Sequence, residues 1–351
     1  MKRITTRDVA AEADVSLATV DRVINNRSGV SDKTVARIHA VIDKLGYVRD
    51  INAVNLVKNR TYRIMFIFPD YDNDFMDQLQ NEILSLNTNE EVNRTVIDIE
   101  KVPPLDALAL AKTLDSVSEE AYTGVVFVAI DAVVVADAVN RLKERGLVAV
   151  TIVSDLASPA VSHFVGINNV AAGRTAGGLL GRFLSPTFND KKKKVAVVAG
   201  SMTLVDHMQR RSGFEQVLKS EYPHLKVLPI IEGHDDNALT QKLLDELFEK
   251  YDDIAGLYSL GAAKAGVVAS LKKHDRTNKI TTIAHDLTEL SRTSLFNGTF
   301  DAVIDQDTAH QARSAVRVVK AIADQSPISQ SKERISIDIY LRDNLPGALK
   351  S

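Results

Sequence analysis

The stretch TTRDVAAEADVSLATVDRVIN, residues 5–25, predicts two short helices, of which the second has two faces of opposite character. The first helix runs from about residue 6 to 13. The second starts after Ser16, a favourable N-cap residue, and runs to about residue 25. Val20, Val23 and Ile24 recur at one-turn spacing and are expected to face a core. The opposite face keeps five residues for contact with a partner, namely Leu17, Ala18, Asp21, Arg22 and Asn25.

A third helix is predicted from Ser31 to Leu45, and it ends at Gly46, a usual C-terminal breaker. Three helices of this length bury one small core, to which the first and third contribute Val9, Ala13, Ile38 and Leu45. Residues 1–49 are therefore expected to form an all-α head of the helix-turn-helix type.

The second helix fits the major groove of DNA. Arg22 could donate to the O6 and N7 of a guanine, and Leu17 or Ala18 could contact a thymine methyl group. Residues 1–60 carry 11 Lys and Arg against 7 Asp and Glu, although the whole chain has a net charge of −3. A basic head favours phosphate binding. The alternative is an ordinary helical bundle whose surface arginine is only solvated.

Composition bounds the remaining possibilities. A chain of 351 residues suggests two or three domains, and 45% hydrophobic with 25% charged residues is typical of folded proteins. Without cysteine there are no disulfides and no thiolate metal sites. No apolar run is long enough for a membrane span, and no signal segment precedes the head. We therefore expect a cytoplasmic protein with no metal and no cofactor.

Residues 50–61 read as a hinge between the head and the body. A segment this short cannot hold a helix alone in water, so it would fold only on DNA, with Leu56 as a minor-groove wedge. The alternative is a linker whose Leu56 packs on the next domain, and the residues alone favour that alternative.

From Arg63 onward, apolar strands alternate with amphipathic helices. The strands are predicted at 64–68, 95–99, 124–129, 148–153, 195–199, 227–231, 255–260, 280–284 and 302–304. Such alternation predicts parallel sheets covered on both faces, and this many units predicts two doubly wound lobes. Motifs of nucleotide-binding, metalloprotease and serine hydrolase enzymes are missing, so no catalytic residue is proposed.

Polar side chains follow several strand ends, where ligands of doubly wound folds bind. Carboxylates, an arginine and an amide could share hydrogen bonds with vicinal hydroxyls, and Phe75 or Tyr258 could cover an apolar sugar face. Asp74 and Asp286 could instead be helix N-caps. The predicted ligand residues are Asp74, Phe75, Asp155, Arg210, Ser259, Asp286 and Gln306.

Segments of the head and of the body resemble those of the lac-repressor (LacI/GalR) family of bacterial transcription regulators. The head carries Thr5-Thr6-Arg7-Asp8-Val9-Ala10, Val15-Ser16, Thr19-Val20, Arg22-Val23, Asn25 and Val30-Ser31. The body carries Val165-Gly166-Ile167-Asn168-Asn169, Arg210 before Gly213-Phe214, Ala284-His285-Asp286 and Ile304-Asp305-Gln306. The resemblance implies a type I periplasmic-binding-protein fold at 62–345, with lobe 1 at about 62–164 and 305–325, and lobe 2 at about 165–304 and 335–345.

The resemblance also implies roles for single residues. Leu17, Ala18 and Arg22 would contact bases, and Leu56 would be the wedge. Ser16, Thr19, Asn25 and Ser31 would contact phosphates, and Thr5 and Thr6 would complete the DNA surface. The implied partners are double-stranded operator DNA and a small sugar or polyol effector. The resemblance further implies that this protein is a repressor and that it is associated with the nucleoid when bound to its operator.

The chain departs from the family pattern at several points. Asp21 stands where most members have serine, and Ser259 with Gly261 replaces an Asn-Asp pair common in the pocket. No leucine heptad follows the last strand, so a homodimer is expected rather than a tetramer. Two other classes are considered, a secreted sugar-binding protein and an enzyme on a doubly wound fold. An export signal would identify the first, and a nucleophile, base or metal set would identify the second.

Overall fold

The computed structural model describes residues 4–24, 28–45, 47, 61–70, 73–89, 94–184, 193–261 and 263–346, without the side chains of residues 88 and 89. The chain separates into two units, residues 1–60 and 61–351. Residues 50–60 of the predicted hinge, which include Leu56, lie outside the described residues, as do Asn25 and Gly46. No helix among the described residues is long and apolar enough to cross a membrane.

The head contains three helices, α1 (Thr6–Glu12), α2 (Leu17–Ile24) and α3 (Asp32–Leu45). Each starts after a hydroxyl residue that accepts from the backbone N–H three positions on. Thr19 N donates to Ser16 Oγ at 3.1 Å, and Thr34 N donates to Ser31 Oγ at 3.4 Å. The predicted core is confirmed, because its central side chains are almost fully buried, namely Val9, Ala13, Val20, Val23 and Ile38.

The first sheet of the body has the strand order β2-β1-β3-β4-β5, and all its pairs are parallel. Its strands are β1 (Tyr62–Pro69), β2 (Thr95–Val102), β3 (Gly124–Phe127), β4 (Val148–Ile152) and β5 (His163–Val165). The chain-order helices α4 (Asp74–Ser85), α5 (Ala107–Ser116) and α6 (Val133–Glu144) connect these strands. In β1, Phe66 and Phe68 belong to one apolar cluster and Ile67 to another, so both faces of the sheet are covered.

The second sheet follows the order β12-β11-β10-β9-β6-β7, with β8 also paired to β6. Its strands are β6 (Lys193–Ala199), β7 (Leu225–Val227), β8 (Ile231–Glu232), β9 (Ile254–Ser259), β10 (Thr281–His285), β11 (Ala302–Asp305) and β12 (Asp338–Tyr340). Only β12 among them pairs antiparallel, with β11. The helices are α7 (Asn169–Phe183), α8 (Val205–Glu221), α9 (Asn237–Lys250), α10 (Lys264–Lys273) and α11 (Glu289–Phe296).

The chain then returns to the first sheet. Helix α12 (Thr308–Ala323) packs on β4, β3 and α4, and a short helix α13 (Gln330–Glu333) precedes β12. Two 3₁₀ turns, Leu86–Asn89 and Arg342–Asn344, complete the described elements. The α/β body with two doubly wound parallel sheets is therefore confirmed.

Four local features differ from the prediction. The strand expected at 227–231 is split into β7 and β8, because Pro229 lies between them and has no N–H to donate to a ladder. Three elements were not predicted, namely β5, α11 and α13, which are three, eight and four residues long. Short elements show too few turns or alternations for a periodic pattern to emerge.

Helices α7 and α8 pack with their backbones almost in contact. A Cβ built on Gly173 would lie 1.9 Å from the carbonyl oxygen of Arg210, and one built on Gly213 would lie 2.1 Å from that of Val170. Glycine at these positions therefore sets the distance between the helices. The contact fixes the backbone of Arg210 against α7.

We expect Gly173→Ala to lower the free energy of unfolding by about 1–3 kcal/mol, because the added methyl group forces two backbones apart. Gly178 lies on the same helix, and a Cβ built there meets nothing within 4 Å. Gly178→Ala should therefore raise the free energy of unfolding by about 0.5–1 kcal/mol through its better helix propensity. Urea unfolding of both variants checks the pair. Equal effects would contradict the close packing at Gly173.

Candidate functional site

The outer face of α2 is exposed as predicted. Leu17 is 45% exposed, and Ala18 and Arg22 are also exposed, while Val20 and Val23 are buried on the other side. The guanidinium of Arg22 lies beside the turn that follows α2, because a Cβ built on Gly29 would be 3.5 Å from Arg22 Nη1. Gly29 has a φ of +97°, a conformation that favours glycine. An apolar pair with one arginine thus forms the contact face of the helix.

The predicted phosphate-contacting hydroxyls lie at helix starts. Ser16 Oγ is 2.8 Å from Thr19 Oγ1 at the start of α2, and Ser31 Oγ is 3.0 Å from Thr34 Oγ1 at the start of α3. Thr5 N donates to Asp8 Oδ2 at 2.7 Å in a capping box, and Thr6 is the first residue of α1. Hydroxyls and backbone N–H groups at helix starts are common phosphate contacts. Asn25, the remaining head residue of the prediction, is outside the described part of the chain.

The body contains a cavity of about 540 Å³ at the carboxyl ends of strands from both sheets. One wall comes from segments that follow β1, β2, β3 and β4. The other comes from segments that follow β6, β8, β9, β10 and β11. Four predicted ligand residues line it, namely Phe75, Arg210, Asp286 and Gln306. Its size and position are those of a small-molecule site in a doubly wound fold.

Arg210 is the largest of the buried side chains, with 2% of its surface exposed. Its Nε donates to Asn169 Oδ1 and its Nη1 to the carbonyl oxygen of Leu260, both at 2.8 Å. Its Nη2 lies 4.0 Å from Asp206 Oδ2 and finds no hydrogen-bond acceptor among the described residues. Asp206 Oδ1 is likewise buried without a donor. A donor and an acceptor at the cavity wall are therefore left for a ligand.

Asp286 is held by a network that fixes both its backbone and its carboxylate. Its φ is +64°, and its carbonyl oxygen accepts from Lys264 Nζ at 3.1 Å and from Ser291 Oγ at 2.8 Å. Its Oδ1 accepts from Gln306 Nε2 at 2.9 Å, and Gln311 Nε2 donates to Gln306 Oε1 at 3.2 Å. Its orientation is thus set before any ligand binds.

Two buried titratable side chains, Lys264 and His285, lie next to Asp286. Lys264 Nζ donates to the carbonyl oxygens of His285 and Asp286, and burial lowers the pKa of Lys264 although nearby carboxylates oppose this. His285 Nε2 is 2.7 Å from the hydroxyl of Tyr258, and burial holds the pKa of His285 well below its usual range. His285 is therefore neutral and structural at pH 7.

Three predicted ligand residues and one predicted ring lie away from the cavity lining. Asp74 is exposed at the first position of α4, and it is not an N-cap, since Asn73 Oδ1 accepts from Phe75 N and Met76 N. Asp155 Oδ1 accepts from Thr151 Oγ1 at 2.6 Å and braces a loop. Ser259 and Tyr258 are inside the sheet and its core. Asp286 is also not an N-cap, because Thr288 caps α11.

Several residues of the cavity were not predicted. The structure adds Asn73, Asp206, His207 and Asp235 to its polar lining. Asp206 precedes Arg210 by one helical turn, so a carboxylate one turn from a predicted buried arginine was an available signal. Asp235 has a φ of +55° in a turn that strand and helix patterns do not predict.

The lining suits hydroxyl groups better than metals or anions. It combines the carboxylates of Asp206, Asp235 and Asp286 with the donors of Arg210 and the amide of Gln306. Carboxylates accept from hydroxyls, and guanidinium and amide N–H groups donate to them. Among the described residues, no group of three His, Cys, Asp or Glu could hold a metal ion.

Each of the two units of the chain matches a known protein family. Residues 5–50 match the family model described as bacterial regulatory proteins, lacI family, and residues 64–327 match a periplasmic binding protein domain. The transcriptional regulator DegA of Bacillus subtilis is 38% identical over 81 residues, which cover 23% of this chain and 24% of DegA. The regulator MalR of Streptococcus pneumoniae is 28% identical over 62% of this chain and 63% of MalR.

The chain thus matches less than two thirds of the length of either relative. Among solved structures, GanP, a glucose-galactose binding protein from Geobacillus stearothermophilus, aligns with a TM-score of 0.71 at 19% identity. The alignment covers 82% of this chain and 99% of that protein, and it shows a shared fold. A three-helix head that matches one family model and a two-sheet body that matches the other lead to one assignment. The chain belongs to the periplasmic binding protein domain family through its body, and it carries a head domain of the lacI family of bacterial regulatory proteins.

Proposed function

We propose that this protein is a transcriptional repressor that binds double-stranded operator DNA and is controlled by a small sugar or polyol effector. It acts as a homodimer in the bacterial cytoplasm and joins the nucleoid when it is bound to the operator. It catalyses no reaction. The observation that carries the proposal is the cavity in which buried Arg210 and Asp206 keep a donor and an acceptor for a ligand.

DNA binding is supported by the head. Helix α2 exposes Leu17, Ala18 and Arg22 on one face, and the helix starts supply hydroxyls for phosphates. Two such heads related by a two-fold axis would read the two halves of a pseudo-palindromic operator. DegA and MalR are named as transcriptional regulators.

A sugar or polyol effector is supported by the hydrogen-bonding groups of the cavity and by the aromatic side chain of Phe75. GanP, which shares the fold of the body, binds glucose and galactose by its description. The cavity lining has one guanidinium and four carboxylates, since Asp236 lies beside Asp206, Asp235 and Asp286 in it. This balance also favours uncharged ligands over sugar phosphates, because a phosphate would lie among like charges.

Control of DNA binding follows from the position of the cavity between two walls. A ligand that contacts both walls favours one arrangement of the lobes, and this arrangement changes the spacing of the paired heads. The coupling is reciprocal, so operator DNA must change the affinity for the effector by the same factor. This reciprocity holds for an effector that relieves repression and for a corepressor. The first lowers the affinity for the operator and the second raises it.

The test uses the full-length protein. Duplexes are selected from a random pool at a fixed salt concentration, and the selected duplex is titrated with the protein by fluorescence anisotropy. Calorimetry then screens monosaccharides, polyols and their phosphates. We expect one neutral compound to bind and to change operator affinity at least fivefold, with its phosphate much weaker. Failure to enrich any duplex, with and without these compounds, would refute the proposal.

A further inference from the structure

The two walls of the cavity differ in chemistry. On the second-sheet wall, most described lining residues are polar, and they include Asp206, Arg210, Asp235, Asp286 and Gln306. On the first-sheet wall, the described lining residues are apolar except Asn73 and Ser154. Asn73 Oδ1 already accepts two backbone N–H groups at the start of α4. A hydroxylated ligand can therefore find most of its hydrogen bonds on one side only.

The apolar wall is partly open to the cavity. Its rim is the turn Pro103-Pro104-Leu105, whose three residues are all exposed, and Leu105 is 40% exposed. Leu110, Val128 and Ile130 continue the wall inward. Exposed apolar side chains inside a concave site mark the place where an apolar part of a ligand is buried.

The backbone at the rim supports the same interpretation. Leu105 has a φ of +56°, a left-handed conformation that costs free energy for a leucine. Asparagine, aspartate and glycine adopt it more readily, yet leucine occupies it and lines the cavity. Leu105 thus places an apolar side chain at a position where the backbone conformation favours asparagine, aspartate or glycine.

We propose that the preferred effector is an amphipathic sugar derivative, a hydroxylated ring that carries an apolar substituent such as an alkyl or aryl aglycone or a deoxy carbon. This inference rests on the proposed sugar or polyol effector. The hydroxylated edge binds Arg210, Asp206 and Asp286, and the substituent packs against Leu105 and the wall behind it. A free hexose covers Phe75 but leaves the part of the wall around Leu105 uncovered.

Calorimetry on the full-length protein tests the inference with matched ligands. The probes are D-glucose and D-galactose, their methyl, butyl and phenyl glycosides in both anomers, and their 6-deoxy counterparts. We expect at least one substituted sugar to bind at least tenfold more tightly than its parent. Affinity should rise by about fourfold for each further buried methylene group, and the aglycone and deoxy series show which end carries the substituent.

Two variants locate the effect. Leu105→Asn removes the apolar side chain and suits the left-handed backbone, so it should melt within a few degrees of the original protein. It should abolish the gain from the substituent and leave the affinity for the parent sugar within about twofold. Leu108→Asn is the matched control, since Leu108 is 71% exposed and does not line the cavity. Its ligand preferences should not change.

The possible results separate this inference from the proposed function. If free sugars bind and their substituted forms bind equally or more weakly, the amphipathic ligand is refuted while the sugar effector stands. The same holds if the gain survives in Leu105→Asn. If no compound of this panel and no monosaccharide or polyol of the screen described under the proposed function binds, the inference and the proposed effector class are both refuted.

Discussion

Arg22→Ala is expected to weaken binding to the selected operator by about 5- to 150-fold, which corresponds to about 1–3 kcal/mol, and to leave binding to random duplex nearly unchanged. Arg22 lies on the exposed face of α2, beside Leu17 and Ala18. A guanidinium that donates two bonds to a guanine loses both on truncation, and the affinity for phosphates depends mainly on other groups.

The measurement is fluorescence anisotropy at one fixed salt concentration, because affinity for DNA depends steeply on salt. Arg37→Ala is the matched control, since Arg37 is also an exposed arginine of the head but belongs to α3. It changes the net charge equally and should cost similar affinity on every duplex. An Arg22→Ala variant that loses the same factor on operator and random DNA would contradict base contact by Arg22.

Much of the fold could be predicted because its signals are local. The head needs only hydroxyl caps and apolar residues at one-turn spacing, and Ser16, Val20 and Val23 supply them. The long buried strands of both sheets are continuous apolar runs, which is typical of parallel sheets. Their order in the sheets depends on contacts between distant segments, which no local pattern carries. The split at Pro229 had a local signal, the missing N–H of proline, which the prediction missed.

The candidate site could be predicted only in part, for a physical reason that α8 illustrates. The buried face of α8 is polar at its start, with Asp206, His207 and Arg210, and apolar only further along, at Phe214 and Val217. Apolar periodicity therefore fails where the ligand groups lie. Arg210 was predicted from its place in the helix that follows a strand end, and the resemblance supports it, whereas its neighbours Asp206 and His207 were missed.

The same limit explains the misplaced carboxylates. A polar residue after a strand can cap a helix, brace a loop or face a ligand, and these roles look alike in a sequence. Asp155 braces its loop through Thr151, whereas Asp286 lines the cavity with its carboxylate fixed by Gln306. The direction of a side chain decides between the roles, and the fold sets that direction.

Asp286→Asn is expected to weaken effector binding by about 10- to 150-fold, since a charged acceptor contributes about 1.5–3 kcal/mol to a buried hydrogen bond. Asparagine keeps the size of the side chain, tolerates the φ of +64° and still offers Oδ1 to Gln306 Nε2. The change therefore replaces one ligand acceptor with a donor and removes one negative charge. Affinity for the operator without effector should be unchanged.

Asp155→Asn is the matched control for Asp286→Asn. Its Oδ1 accepts from Thr151 Oγ1 and from Leu156 N, and the amide oxygen of asparagine can accept both bonds. Asp155 does not line the cavity, so the variant should lose little stability and keep its effector affinity. Calorimetry with the tightest sugar of the panel, beside thermal melting of both variants, separates the two effects. If Asp286→Asn binds that sugar as well as the original protein, Asp286 does not contact the effector. If Asp155→Asn shows the larger loss of affinity, the ligand lies closer to the loop after β4 than the cavity lining indicates.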